Sequence, residues 1–297
     1  MRVMACPVII NPMRSLKRTL DRFYKEFNFS ERLLHDPIEF PRRYSDPEDI
    51  EAAGFIAACF AYGKVGLFRP VIGKVLGPAG KHPARFFRGF DPKTDAKYLR
   101  GAGYRFNREK DIVCFLYILG RALDGRGSLK NIFYDNYSPD DNDIGSALNG
   151  LIDIFLDIDT SPVYGRNIRP DGLKQLFPSP RKGSACKRMN LFLRWMVRNR
   201  DIDLGIWDRV QPSKLIIPLD THIARIARCI GLTERSVADW KTAAEITGSL
   251  KRLDPDDPLK YDFALCHHGI SGMCRGKGDK GVCGGCVFSN SAEARKR

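Results

Sequence analysis

Apolar residues recur along much of this chain at intervals of three and four, the spacing that lines them up on one face of a helix. Over 108–124 (REKDIVCFLYILGRALD), Ile112, Phe115, Leu116, Leu119 and Leu123 form one such stripe. Ile144, Leu148, Leu151 and Phe155 repeat it over 143–157, and Ala185, Met189, Phe192, Leu193 and Met196 over 184–199. A further stripe, Val237, Trp240, Ile246, Leu250 and Leu253, spans 236–254. Ser45-Asp46-Pro47-Glu48 is a capping-box pattern with proline in the first turn, and Ile50, Ala53 and Ala57 follow at helical spacing. Asp257 before Pro258 reads as the cap of a helix running to about His268. No stretch alternates apolar and polar positions over strand length, so the pattern predicts an all-α fold.

Proline and glycine gather in 83–104, 160–183 and 272–285, which read as connections. The middle one separates an N-terminal helical region, 1–160, from a helical core, 184–271. Residues 272–297 form a basic, cysteine-containing tail, and its last eleven residues have little to bury.

Charge adds a partner class to this picture. Lys and Arg number 49 against 35 Asp and Glu, a net charge of +14 that favours polyanions through counterion release. Between Arg181 and Arg200 there are seven basic residues and no acidic one, a stretch suited to phosphate contacts. No apolar run approaches the roughly 18–20 residues of a membrane span; the longest, Gly54–Tyr62, falls far short. Val3–Ile10 resembles a signal-peptide core but stops at Asn11-Pro12 with no small-residue cleavage site, which points to a cytoplasmic protein. Of nine cysteines, Cys59, Cys114 and Cys229 sit in apolar helical stretches, whereas Cys274, Cys283 and Cys286 cluster as Cys-x8-Cys-x2-Cys, which suggests metal rather than disulfides.

Asp220 follows Pro218-Leu219 where a helix N-cap should stand, and Ile223, Ile226, Ala227 and Ile230 supply the buried face of that helix before Gly231 closes it. Residue by residue, that describes a good cap followed by solvated His222, Arg225 and Arg228. The whole string PLDTHIARIARCIGL, some fifteen contiguous residues, resembles the catalytic-aspartate segment of the helix-hairpin-helix/GPD superfamily of DNA glycosylases. The overall pattern looks most like an uncharacterised bacterial family within it.

The resemblance implies two helical subdomains flanking a cleft, with Asp220 as the catalytic carboxylate. Cleavage of an N-glycosidic bond builds positive charge on the sugar, which a carboxylate stabilises. It also implies a monomeric, nucleoid-associated protein acting on a damaged base or abasic site in double-stranded DNA. Thr221 and the adjoining N–H groups would hold a phosphate, with Arg188, Arg194, Lys214, His222 and Arg225 as further DNA contacts. Phe68, Tyr104, Phe106 and Trp207 are aromatic candidates for the base pocket. The alternative is a DNA- or RNA-binding protein that keeps the fold without catalysis.

Bifunctional members add a lysine that forms a Schiff base with the sugar and leads to strand cleavage, an AP lyase step. In most it lies some eighteen residues before the aspartate in a glycine hairpin, yet 200–210 (RDIDLGIWDRV) has neither hairpin nor lysine. Lys187, 33 residues before Asp220, is similar in spacing to the lysine of the archaeal 8-oxoguanine glycosylase branch. On a helical wheel it lies opposite Met189, Phe192 and Met196, alongside Arg194 and Arg198. Lys214 is the other candidate.

In endonuclease III-like members an iron–sulfur cluster follows the last helix with Cys-x6-Cys-x2-Cys-x5-Cys spacing, and His268-Gly269 also resembles that branch. Here the first gap is two residues longer and Ala292 stands at the fourth position. By resemblance Cys274, Cys283 and Cys286 would hold an iron–sulfur cluster or zinc, with Cys266, His267 or His268 as the fourth ligand and Cys266 the choice carried forward.

Overall fold

The structure is a computed structural model and describes residues 12–34, 36–276 and 283–288. The signal-like stretch Val3–Ile10 lies outside them. The described residues form helices α1 (Pro12–Glu26), α2 (Phe29–Leu33), α3 (Pro47–Phe60), α4 (Val65–Leu76), α5 (Pro83–Arg88), α6 (Glu109–Arg126) and α7 (Leu129–Tyr134). These are followed by α8 (Gly145–Asp157), α9 (Ser161–Tyr164), α10 (Asp171–Lys174), α11 (Lys187–Val197), α12 (Thr221–Cys229), α13 (Trp240–Lys251) and α14 (Asp262–Ile270). Among the described residues there is no strand, only isolated bridges at Tyr104–Asn107 and Ser184–Asp239, so the fold is all-α. No helix among them is long and apolar enough to cross a membrane.

Helix α3 is the central element, buried along almost its whole length, with α4, α5 and α11 packed around it. Its cap is Asp46, one residue later than the capping-box pattern suggested: Oδ1 accepts from the N–H groups of Glu48 (2.9 Å) and Asp49 (3.3 Å), and Pro47 takes the first turn. Phe55 of α3 meets Phe115, Phe155 and Phe192 at ring-centroid distances of 5.8, 5.3 and 5.4 Å, so one aromatic cluster joins α3, α6, α8 and α11. Each such buried ring stabilises the fold by roughly 1.5–3 kcal/mol. A carboxylate sits inside the same core. Glu51 accepts from Trp207 Nε1 (2.8 Å) and from the N–H groups of Leu129 (3.0 Å) and Lys130 (3.3 Å) at the start of α7. Burial pushes its pKa up to about 7 despite these bonds.

A second aromatic group ties α1 and α2 to α14 and the turn that leads into it. Phe29 stacks on Phe263 at 5.7 Å and Tyr24 meets Tyr261 edge-on at 6.1 Å, while Asp21 accepts from Tyr261 Oη (2.7 Å) and Lys260 Nζ (2.9 Å). Segments before and after 160–183 therefore share one hydrophobic core.

Several boundaries differ from the periodicity. The connection 83–104 contains α5 and a 3₁₀ turn at Ala96–Leu99, and 160–183 contains α9 and α10, all too short to show a stripe. Helix α13 starts at Trp240, because Asp239 caps it through Thr242 N (2.7 Å), which leaves Val237 60% exposed rather than on the buried face. Asp257 is no cap either: its carboxylate takes two hydrogen bonds, both 2.8 Å, from the Arg198 guanidinium, and α14 begins only at Asp262. In the C-terminal tail, Phe288 is buried against Phe23 and His268, so that part of the tail does have something to bury.

Candidate active site

Ile217–Leu219 run extended and buried into Asp220, whose own backbone is extended (φ −118°, ψ −176°). Its Oδ1 accepts from His222 N and Ile223 N, both at 2.9 Å, and so caps α12. These two N–H groups are thereby occupied, and Thr221 beside them is exposed. The cap fixes the carboxylate and leaves Oδ2 toward Lys187 Nζ, 3.7 Å away, and Cys266 Sγ at 3.5 Å.

Lys187 is the first residue of α11, and Cys186 before it adopts a left-handed conformation (φ +47°, ψ +34°) that is costly for a residue with a side chain. That turn aims the lysine at α12, and Nζ also donates to Ala61 O at 3.3 Å. Ala61 ends α3, where Gly63 at φ +83° allows the sharp turn into α4. The third wall is α14. It crosses α12 at Gly269, where a Cβ would come within 2.7 Å of His222 Cβ, so no larger residue fits without displacing the site.

These elements enclose a cavity of about 530 Å³ that contains both Lys187 and Asp220. Phe68, Leu191, Pro218 and Phe263 supply apolar wall, and Asp36, Asp262 and His222 supply polar groups. Lys187 is 30% exposed and Asp220 15%, open enough for a ligand and closed enough to exclude bulk water. Asp262 is fully buried, and burial pushes its pKa up to about 6, although the adjacent Arg194 acts in the opposite direction. Such a partly apolar space with a lysine and several carboxylates suits nucleophilic attack at an electrophilic carbon with nearby electrostatic support.

Among the predicted DNA contacts, Arg188 and Arg194 are interior. Arg188 is 8% exposed and donates to Cys59 O (2.7 Å) and Gln175 O. The Arg194 side chain is 2% exposed and pairs with Asp203 (3.2 Å) and Asp262. Arg198 is equally buried, against Asp203 and Asp257. Beyond Lys187 helix α11 is thus covered on both faces: Arg188 is engaged by backbone carbonyls and Arg194 neutralises buried aspartates. Lys214 does not line the cavity; its Nζ donates to Pro139 O (2.9 Å) and Asp141 O (2.6 Å). His222 lies on the cavity wall, with Arg225 Nη2 3.1 Å from its Nδ1. Of the aromatic candidates, Phe68 lines the cavity, Tyr104 and Trp207 are buried, and Phe106 is 66% exposed. Asp36, Asp262 and Phe263 reach the cavity without having been singled out, and His267, weighed only as a metal ligand, lines it too. An acid inside the apolar run DFALC was the one available signal, for Asp262.

The cysteine grouping also changes. Cys266 stands against Asp220 in the cavity, where burial and that carboxylate raise its pKa well above an ordinary thiol's. Cys274, Cys283 and Cys286 instead surround Cys229 at the end of α12; burial pushes the Cys229 thiol up to about 11, and the other three add to the shift. Among the described residues no group of three or more His, Cys, Asp or Glu side chains is arranged to hold a metal ion. The thiols are of a kind that suits iron–sulfur or zinc, and the chemistry derived below uses side chains alone.

Residues 36–271 match the profile of a family described as "Protein of unknown function (DUF2400)", and the chain belongs to that family. No curated protein and no solved structure matches the chain.

Proposed function

We propose that this member of the DUF2400 family is a base-excision DNA glycosylase with AP lyase activity, working through Asp220 and Lys187. The observation that carries the proposal is the 3.7 Å approach of Lys187 Nζ to Asp220 Oδ2 inside a cavity able to hold a nucleoside. Two residues 33 positions apart, one opening α11 and one capping α12, lie within ion-pair distance, which supports this reading.

Asp220 Oδ2 accepts a proton from Lys187, whose free amine attacks C1′ of a nucleotide turned out of the duplex. The C1′–N bond breaks, its electron pair leaves with the base, and the base takes the proton held on Asp220 Oδ2, which restores the carboxylate. The Asp220 carboxylate stabilises the positive charge on the sugar and on the newly bonded nitrogen. It then moves a proton from that nitrogen to O4′, and opening of the C1′–O4′ bond gives a Schiff base on Lys187. Loss of a C2′ proton then expels the 3′ phosphate through its C3′–O bond, and hydrolysis of the imine frees the lysine. In this reading Arg32, Lys64 and His222 on the cavity wall, with exposed Thr221 beside Asp220, contact the nucleic-acid backbone.

A panel of duplexes carrying single damaged bases, with borohydride trapping on abasic DNA, tests this reading. Wild type should release one class of base and form a trapped adduct that Lys187→Ala does not form. Salt-sensitive binding without product on any member of the panel, unaffected by Asp220→Asn, would establish the non-catalytic nucleic-acid-binding alternative instead.

A further inference from the structure

Arg194 is 2% exposed yet incompletely paired. Nε binds Asp203 Oδ1 at 3.2 Å and Nη1 binds Asp262 Oδ2, but Nη2 has no hydrogen-bond partner among the described residues. A buried guanidinium N–H left without an acceptor is costly, because its lost hydration is not replaced. Arg194 and Asp262 both line the cavity that holds Lys187 and Asp220, and the Arg194 guanidinium lies 5.8 Å from the Phe263 ring centroid. A spare donor thus stands next to a carboxylate, in a space with aromatic wall from Phe68 and Phe263.

We propose that Arg194 and Asp262 form the reading edge of this cavity, selecting a planar heterocycle that bears an oxo group beside a ring N–H. The inference rests on the glycosylase reading and narrows its substrate class. The oxo oxygen accepts from Arg194 Nη2 and the ring N–H donates to the Asp262 carboxylate, closing a pair of parallel bonds while the ring lies against the aromatic wall. A lactam edge of this kind satisfies the orphan donor with oxygen, the stronger acceptor, and uses the carboxylate in its charged form. An amino group beside a ring nitrogen offers the weaker match, and an unsubstituted purine offers Arg194 only a ring nitrogen and leaves the carboxylate without a donor. The pair determines specificity; Asp220 and Lys187 remain the residues that touch the sugar.

The test keeps ring size constant and varies only the edge. Duplexes carry hypoxanthine, adenine or unsubstituted purine on a 2′-fluorinated, cleavage-resistant sugar, each opposite an abasic analogue so that base pairing contributes equally. Equilibrium binding to the full-length wild-type chain should favour hypoxanthine over purine by at least about tenfold, the discrimination of one good bidentate contact, with adenine between them. Asp262→Asn, verified as folded by circular dichroism, should reduce that preference severalfold. If the variant does not fold, the base series with wild type still decides the matter. Equal affinity for all three bases, each tighter than an abasic duplex, would overturn the reading edge while leaving the glycosylase reading intact. Failure to bind any of the modified duplexes more tightly than an unmodified one would overturn both.

Discussion

At the start of α11, Lys187 faces Asp220 across 3.7 Å of partly open cavity; further along the same helix, Arg194 and Arg198 are sealed among Asp203, Asp257 and Asp262. Both are cation–carboxylate systems on eleven residues of helix. The sealed one has nearly all of its donors engaged and holds α11, α14 and the 201–203 turn together. The open one has only long contacts: Lys187 Nζ lies 3.7 Å from Asp220 Oδ2 and 3.3 Å from Ala61 O, and Cys266 Sγ is 3.5 Å from the same carboxylate oxygen. Charge alone does not distinguish a structural group from a chemical one. Burial and the fraction of hydrogen bonds already made do.

Asp203→Ala breaks that contrast most severely, because it leaves two buried guanidinium groups short of a partner. It should cost roughly 3–5 kcal/mol in chemical denaturation, and a loss below 1 kcal/mol would mean that the cluster is not a structural unit. Next comes Asp220→Asn. Asparagine caps a helix about as well as aspartate, so stability should barely change, whereas single-turnover base release should fall by about 10²–10³-fold. A variant that unfolds, or one that stays fully active, would place Asp220 on the structural side.

Glu51 extends the comparison to pH. Its pKa is about 7 in the folded chain against an ordinary 4.5, so the folded state binds the proton more tightly. The stability this contributes is fully present below about 4.5 and is lost as pH rises through about 7. Wild type should therefore lose stability relative to Glu51→Gln across that window, as read from melting temperatures; a constant difference would mean that Glu51 titrates normally. Asp262 acts with the same sign between 3.8 and about 6 but is common to both proteins. The smallest effect should come from Lys187→Ala, which removes a partly exposed pair worth under about 1 kcal/mol to the fold. The same change should eliminate borohydride trapping.

The amphipathic helices and the Asp220 cap were readable because each is encoded within a few contiguous residues. Lys187 could be placed in outline from spacing. The roles of Arg188 and Arg194 could not, since a helical wheel assigns polar positions to water by default. Here the polar side of α11 is covered by Asp203 and Asp262, which lie 9 and 68 residues beyond Arg194. The cysteines failed for a related reason. Spacing ranks Cys266 as the neighbour of Cys274, but the crossing of α12 and α14 turns Cys266 toward Asp220 and leaves Cys229 beside the later three.

The tie between α1 and α14 has a consequence for how the protein comes into being. Asp21 must wait for Lys260, 239 positions later, and for Tyr261 before its bonds can form. Helix α14 also supplies the last wall of the cavity, so during synthesis Lys187 and Asp220 are made well before the surface that encloses them. A nascent chain would therefore carry both groups exposed and without a binding space. Competence should arrive in one late, non-local step, slow by the measure of sequence separation, when the two distant segments meet.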